Sequence, residues 1–221
     1  MDFAWYYRLM SILLFLLVPA VFLYYSAGNR FSGLPTYRLA WLSGVATGIL
    51  LAVLAFLTEG VLKIRSSSFA LQYLTTFVSC TLIPFVLGPI VLFAVFDSPL
   101  RDRIERLVPQ LFGILTVYLP FLQLSRYSGP DAWSAVLHPA LTVSAVFLVD
   151  YSVRRYLSRI RLSPNYEGLL VALLPSASLL LLSDLARVLW FFAYPFWTFG
   201  LLGMLLVFLS LLTRLAKYCR L

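Results

Sequence analysis

Long apolar stretches, each close to the length that crosses a lipid bilayer, fill most of this sequence and limit what it can fold into. A helix that spans about 30 Å of hydrocarbon needs roughly 20 apolar residues. Stretches of this kind lie at 9–25, 39–58, 69–96, 107–124, 132–150, 168–193 and 196–213. The sequence lacks the alternating ten-residue segments of a membrane β-barrel, so we expect these spans to be helices.

The composition also requires a membrane. Of the 221 residues, 62% are hydrophobic and 12% are charged, whereas soluble domains are about 45–50% apolar and about 25% charged. A soluble chain of this length could not bury so much apolar surface in one core. The sequence therefore predicts an all-α, polytopic integral membrane helical bundle, a single transmembrane domain over 1–221. We expect it in the plasma membrane, or in the inner membrane if the source is bacterial.

The basic residues predict the orientation of the bundle. Twelve of the 17 Lys and Arg residues lie in segments on one side of the predicted spans, four lie on the other, and Arg187 is within a span. Because Lys and Arg collect in cytoplasmic loops, we predict about seven transmembrane helices with the N-terminus outside and the C-terminus cytoplasmic. A tight turn at Tyr194-Pro195 must separate the last two spans; without it the number is six.

Two opposite charges interrupt the sixth apolar stretch in the sequence LLSDLARVLW. Asp184 and Arg187 are three residues apart, so they share one helical face and are close enough to pair. An unpaired charge in hydrocarbon costs at least about 2.5–3.5 kcal/mol, which makes pairing favourable. Two interpretations follow: a polar functional site in the outer half of the bundle, or an ion pair that locks the helices together.

Three further polar residues fall at similar predicted depths. His138, the only histidine, precedes Pro139 and could form a hydrogen bond between helices or act as a proton relay or ligand contact. Glu59 ends the second span and could pair with Lys63 at i,i+4. Gln72 lies near the outer start of the third span. With the two charged residues of the sixth span, His138, Glu59 and Gln72 are the candidate substrate-binding residues.

The third span is long and rich in helix-breaking residues. Its 28 residues would form a straight helix of about 42 Å, longer than the hydrocarbon layer. Proline removes a backbone donor and bends a helix, so we expect kinks or breaks at Pro84, Gly88 and Pro89, and at Pro139 in the fifth span. Such breaks mark binding sites in transporters, although tilt and kinking also relieve hydrophobic mismatch.

The second span contains the sequence SGVATG, in which Gly44 and Gly48 form a small-xxx-small row. Such rows let two helices approach closely. We expect the partner helix to belong to this chain.

The segment 151–166 is a basic cytoplasmic loop that could form an interfacial helix. Its apolar residues would share one face, with Arg154, Arg155, Arg159 and Arg161 on the other flanks. Such a segment binds anionic lipid headgroups or docks onto another membrane or cytoplasmic subunit, or it serves only as an orientation anchor. Membrane lipids are therefore expected partners, and nucleic acid is not, because no basic run is interleaved with aromatics.

Several motifs are missing from the sequence. It contains no GxxxxGK[ST], GxGxxG, HExxH or GxSxG motif, and its two cysteines lack metal-ligand spacing. We therefore assign no catalytic residue, cofactor or metal. We favour a membrane component of a transport system, either a small transporter or a subunit of a larger complex. The alternatives are an intramembrane enzyme acting on lipid or peptide, with Glu59, His138 and Asp184 as acid–base groups, and a non-catalytic scaffold.

Overall fold

The computed structural model of the protein describes residues 9, 13, 16–24, 35–62, 68–95, 99–126, 138–159, 166–192, 194, 196–204 and 207. All regular structure in these ranges is helical and none is β-strand, which confirms the predicted all-α class. The helices are α1 (16–24), α2 (Pro35–Leu62), α3 (Phe69–Phe77), a π-helix (Val78–Leu87), α4 (Gly88–Val95), α5 (Leu100–Arg126), α6 (His138–Arg159), α7 (Tyr166–Phe191) and α8 (196–204).

Three segments in the described part of the chain are long and apolar enough to cross a membrane. They are Tyr37–Leu57, Phe69–Ile90 and Glu167–Phe191, of 21, 22 and 25 residues. They coincide with the spans predicted at 39–58, 69–96 and 168–193, so these three helices indicate a membrane protein. The spans predicted at 9–25, 132–150 and 196–213 extend outside the described residues.

Helix α5 lies at the centre of the bundle, and glycines bring α2 against it. A Cβ atom at Gly44 would overlap the carbonyl oxygen of Gln110, and one at Gly48 would lie 2.8 Å from that of Ile114. On the facing helix, a Cβ at Gly113 would overlap the carbonyl oxygen of Trp41. The small-residue row of α2 therefore packs within the chain, as predicted, and glycine is required on both sides of the contact.

The third predicted span is continuous rather than broken. From Phe69 to Val95 it runs as α3, the ten-residue π-helix and α4 without interruption. Pro84 lies inside the π-helix, and the N–H of Gly88 bonds to the carbonyl of Ile83, five residues earlier. Pro89 falls in the first turn of α4, inside this continuous helix, so it also supplies no N–H to the preceding turn. The predicted helix break is thus a widening of the helix, which keeps most backbone groups bonded inside the apolar bundle.

Helix α6 includes most of the basic segment. Residues 151–159 form its last turns, and Val153 is buried while Tyr156 and Leu157 pack against the main core cluster. The apolar face identified in the sequence therefore contacts protein along these turns. Arg154 is exposed and bonds to Asp150 at 2.8 Å. The side chain of Arg159 and all of Arg161 lie outside the described residues, and Pro139 falls in the first turn of α6.

Candidate functional site

The two charges of α7 lie against the π-helix. Asp184 and Arg187 are 1% and 6% exposed, so both face the interior of the bundle. The hydroxyl of Thr81 donates to Asp184 Oδ2 at 2.6 Å, and Arg187 Nη1 donates to the sulfur of Cys80 at 2.9 Å. Consecutive residues of the π-helix thus bind the two opposite charges, which joins the third predicted span to the sixth.

The π-helix presents three polar residues in succession. Ser79, Cys80 and Thr81 are each less than 7% exposed. Three successive residues of an α-helix point in directions 100° apart, so they meet different neighbours. Here Cys80 and Thr81 contact α7, while the backbone of Ser79 contacts α5. π-Helical turns are rare in proteins, and those that occur are often found at functional sites; this one contacts the buried charges of α7.

Pro84 explains why the backbone carbonyl of Ser79 is free to accept a hydrogen bond from another helix. In a π-helix each carbonyl accepts from the N–H five residues later, which for Ser79 is residue 84. Pro84 has no N–H, so the Ser79 carbonyl lacks its π-helical donor. The hydroxyl of Tyr118, a completely buried residue of α5, donates to this oxygen at 3.0 Å. A tertiary hydrogen bond therefore replaces the missing helical one.

Further polar groups line the α3 and α7 side of the site. The Ser79 hydroxyl donates to the carbonyls of Thr75 and Thr76, at 2.7 and 3.1 Å, and lies 3.7 Å from the Cys80 sulfur. Ser183 is also buried beside Asp184 in the sequence of α7. Within the described residues, no group of three or more His, Cys, Asp or Glu side chains could hold a metal ion. The site offers hydroxyl, thiol, carboxylate and guanidinium groups as donors and acceptors for a polar molecule.

Among the other substrate-binding residues proposed from the sequence, only Gln72 has a described side chain. Gln72 lies on α3, half-buried, with its Oε1 atom buried and without a hydrogen-bond partner among the described residues. It precedes Cys80 by eight residues, about 12 Å along an α-helix. Glu59 is part of α2 and His138 opens α6, but the side chains of both lie outside the described residues. Gly88 approaches α5, where a Cβ atom would lie 2.6 Å from Ile114 Cδ1.

Sequence reasoning missed Cys80, Thr81 and Tyr118 as members of the site. Cys80 is buried, as a small hydrophobic residue would be, and it also accepts a hydrogen bond from a guanidinium group. The available signal was the polar run Ser79-Cys80-Thr81 followed by Pro84, five residues after Ser79. A proline at that spacing frees one carbonyl next to polar side chains.

Comparison of the chain with protein-family models, with curated protein sequences and with solved structures gives no match, so the chemistry of this site must be argued from its own residues.

Proposed function

We propose that this protein is an integral membrane component of a transport system, either a small transporter or the membrane subunit of a larger complex. In this proposal the polar site is formed by the π-helix and by Asp184 and Arg187. The observation that supports it is the pair of hydrogen bonds from Thr81 to Asp184 and from Arg187 to Cys80, made in a membrane-length helix whose α-helical pattern is interrupted.

The physical argument starts from the cost of burying charge. Ionisable groups inside a membrane protein are expensive, face the bundle interior and mark pathways for ions and substrates. π-Helical turns are frequently found at functional sites, and these charged groups lie beside one, where hydroxyl and thiol side chains could bind a solute. The hydroxyl of Thr81 and the thiol of Cys80 are neutral, so a polar solute could take over their hydrogen bonds to Asp184 and Arg187 without removing a countercharge.

The topology belongs to the same proposal. We infer about seven spans, with the N-terminus outside and the C-terminus in the cytoplasm, because basic residues favour one side by twelve to four. This orientation puts Asp184 and Arg187 in the outer half of the sixth span. The basic turns at the end of α6, with exposed Arg154, would then face the cytoplasm, where a partner subunit could dock.

Labelling of Cys80 tests the proposal without knowledge of the solute. Its side chain is 3% exposed, so a thiol reagent reaches it only if the bundle opens. The experiment uses the full chain with Cys219→Ser, in sealed vesicles of known orientation, and a membrane-impermeant methanethiosulfonate reagent. A transport site that opens alternately to the two sides predicts labelling of Cys80 from either face.

A matched control places a cysteine in a purely apolar part of the core. Ala145 is completely buried among leucines of α7, so Ala145→Cys in a chain with both native cysteines replaced by serine should stay unlabelled. Labelling of Cys80 from one face only would favour an intramembrane enzyme. Absence of labelling from both faces, with the protein folded, would favour the scaffold and contradict the proposal.

A further inference from the structure

A second site, separate from the buried charges, lies between α1 and α2. The two helices enclose a groove of about 440 Å³, within the range of ligand pockets. Phe22 forms its aromatic wall: its ring stacks on Tyr37 and on Trp41, with centroids 5.8 and 5.6 Å away. Among the described residues that line the groove, Arg38 contributes the only charged side chain.

The walls of the groove are apolar and lie at the surface of the bundle. Leu23 on α1 and Leu42 on α2 are 64% and 53% exposed. Leu42 follows Arg38 by one helical turn, so the aliphatic rim and the cation share a face of α2. An exposed aliphatic rim on a membrane-length helix contacts lipid chains rather than water.

We expect Arg38 to lie at the depth of the lipid headgroups. It is the second residue of the membrane-length segment Tyr37–Leu57, next to Tyr37 and close to Trp41, and such aromatic residues are enriched at membrane boundaries. Its side chain is exposed and forms no ion pair with any residue that the structure describes. The distribution of Lys and Arg predicts that this end of α2 faces the cytoplasm, where anionic lipids are concentrated.

We propose that the groove binds an anionic phospholipid, with one acyl chain along Phe22, Leu23 and Leu42 and the phosphate on the Arg38 guanidinium. The acyl chain would bury apolar surface on the lipid and on the protein. The guanidinium of Arg38 would gain an anionic partner at the membrane boundary, where water solvates it only partly. The site rests on the orientation proposed above, but it shares no residue with the π-helix or with α7, so it can be tested separately from the transport site.

Native mass spectrometry of the full chain in detergent micelles tests this binding. The probe is an equimolar mixture of phosphatidylglycerol and phosphatidylcholine with identical acyl chains. We expect the wild-type protein to retain phosphatidylglycerol preferentially. Arg38→Gln should lower its retention about fivefold, the effect of one basic side chain on an anionic lipid. Leu23→Trp, which places an indole in the groove, should lower retention of both lipids.

The control is Arg101→Gln, which removes a basic side chain on the same predicted side of the membrane. Arg101 is exposed and bonds to Glu105 at 3.2 Å, away from the groove, so this variant should retain phosphatidylglycerol within twofold of the wild type. Three results would each overturn the proposal: equal retention of the two lipids by the wild type, equal losses for Arg38→Gln and Arg101→Gln, or full retention by Leu23→Trp.

Discussion

Removal of the Tyr118 hydroxyl tests how the π-helix is held. The variant Tyr118→Phe deletes the donor to the Ser79 carbonyl and leaves the ring in place. Tyr118 and Ser79 are 0% and 1% exposed, so water does not reach this carbonyl in the folded protein. Because Pro84 supplies no N–H at the π-helical spacing, the variant leaves a buried acceptor without the donor seen at 3.0 Å.

The expected cost follows from this burial. A hydrogen bond between membrane helices is worth about 0.6 kcal/mol on average and up to about 1.7 kcal/mol, and a buried unsatisfied group costs about 1–3 kcal/mol. We expect Tyr118→Phe to lower the free energy of unfolding by about 1–2 kcal/mol. In a Pro84→Ala background residue 84 has an N–H that can donate to Ser79, so the same change should cost less than about 0.5 kcal/mol.

The measurement is the free energy of unfolding in mixed dodecylsulfate and maltoside micelles, for the wild type, both single variants and the double variant. The four values form a double-mutant cycle, in which we expect a coupling of about 1 kcal/mol. Tyr73→Phe is the matched control, because its hydroxyl lies 3.4 Å from the Leu181 carbonyl, too far for a strong hydrogen bond. Equal costs of Tyr118→Phe in the two backgrounds would falsify the link between Pro84 and Tyr118.

Three further changes test the packing and the buried charges, each by the same unfolding measurement. Gly113→Ala forces a Cβ into a carbonyl of α2 and should cost about 1–3 kcal/mol. Gly200→Ala, with nothing within 4 Å of the new Cβ, should cause no loss, because alanine is favoured over glycine in a helix by about 0.5–1 kcal/mol; similar costs for the two would refute the close helix contact. Thr81→Val removes the donor to Asp184 and should cost about 1–3 kcal/mol, and an unchanged stability would mean that this hydrogen bond contributes nothing. Asp184→Leu and Arg187→Leu should each cost about 3–5 kcal/mol and the double variant less than either; additive losses would show that the two charges are independent.

Much of the fold could be predicted from local features. The three membrane-length segments follow from hydropathy alone, since a run of apolar residues has no stable place except in lipid or a core. The close approach of α2 to another helix followed from Gly44 and Gly48, because only a residue without a Cβ permits it. The sequence could not identify α5 as the partner, since many helices offer a complementary face.

The candidate site was predictable in part. The burial of Asp184 and Arg187 follows from two charges on one face of an apolar helix. Their contacts with Thr81 and Cys80 were not predictable, because these residues are about 100 positions away in the chain and only the helix register joins them. Pro84 predicted a disturbance of the third span, but a kink, a break and a π-helix can each accommodate a residue that has no backbone N–H.

The sequence by itself determined that the protein lies in a lipid bilayer, that it is helical, and which residues cannot face lipid. These properties depend on the free energy of transferring each segment from water to hydrocarbon. The tertiary structure alone decided that a π-helix accommodates Pro84, that Tyr118 of α5 satisfies the freed carbonyl of Ser79, and that α7 presents its charges to Thr81 and Cys80. These outcomes depend on which helices become neighbours and in what register. That choice is made by the packing of the whole bundle, which no single segment encodes.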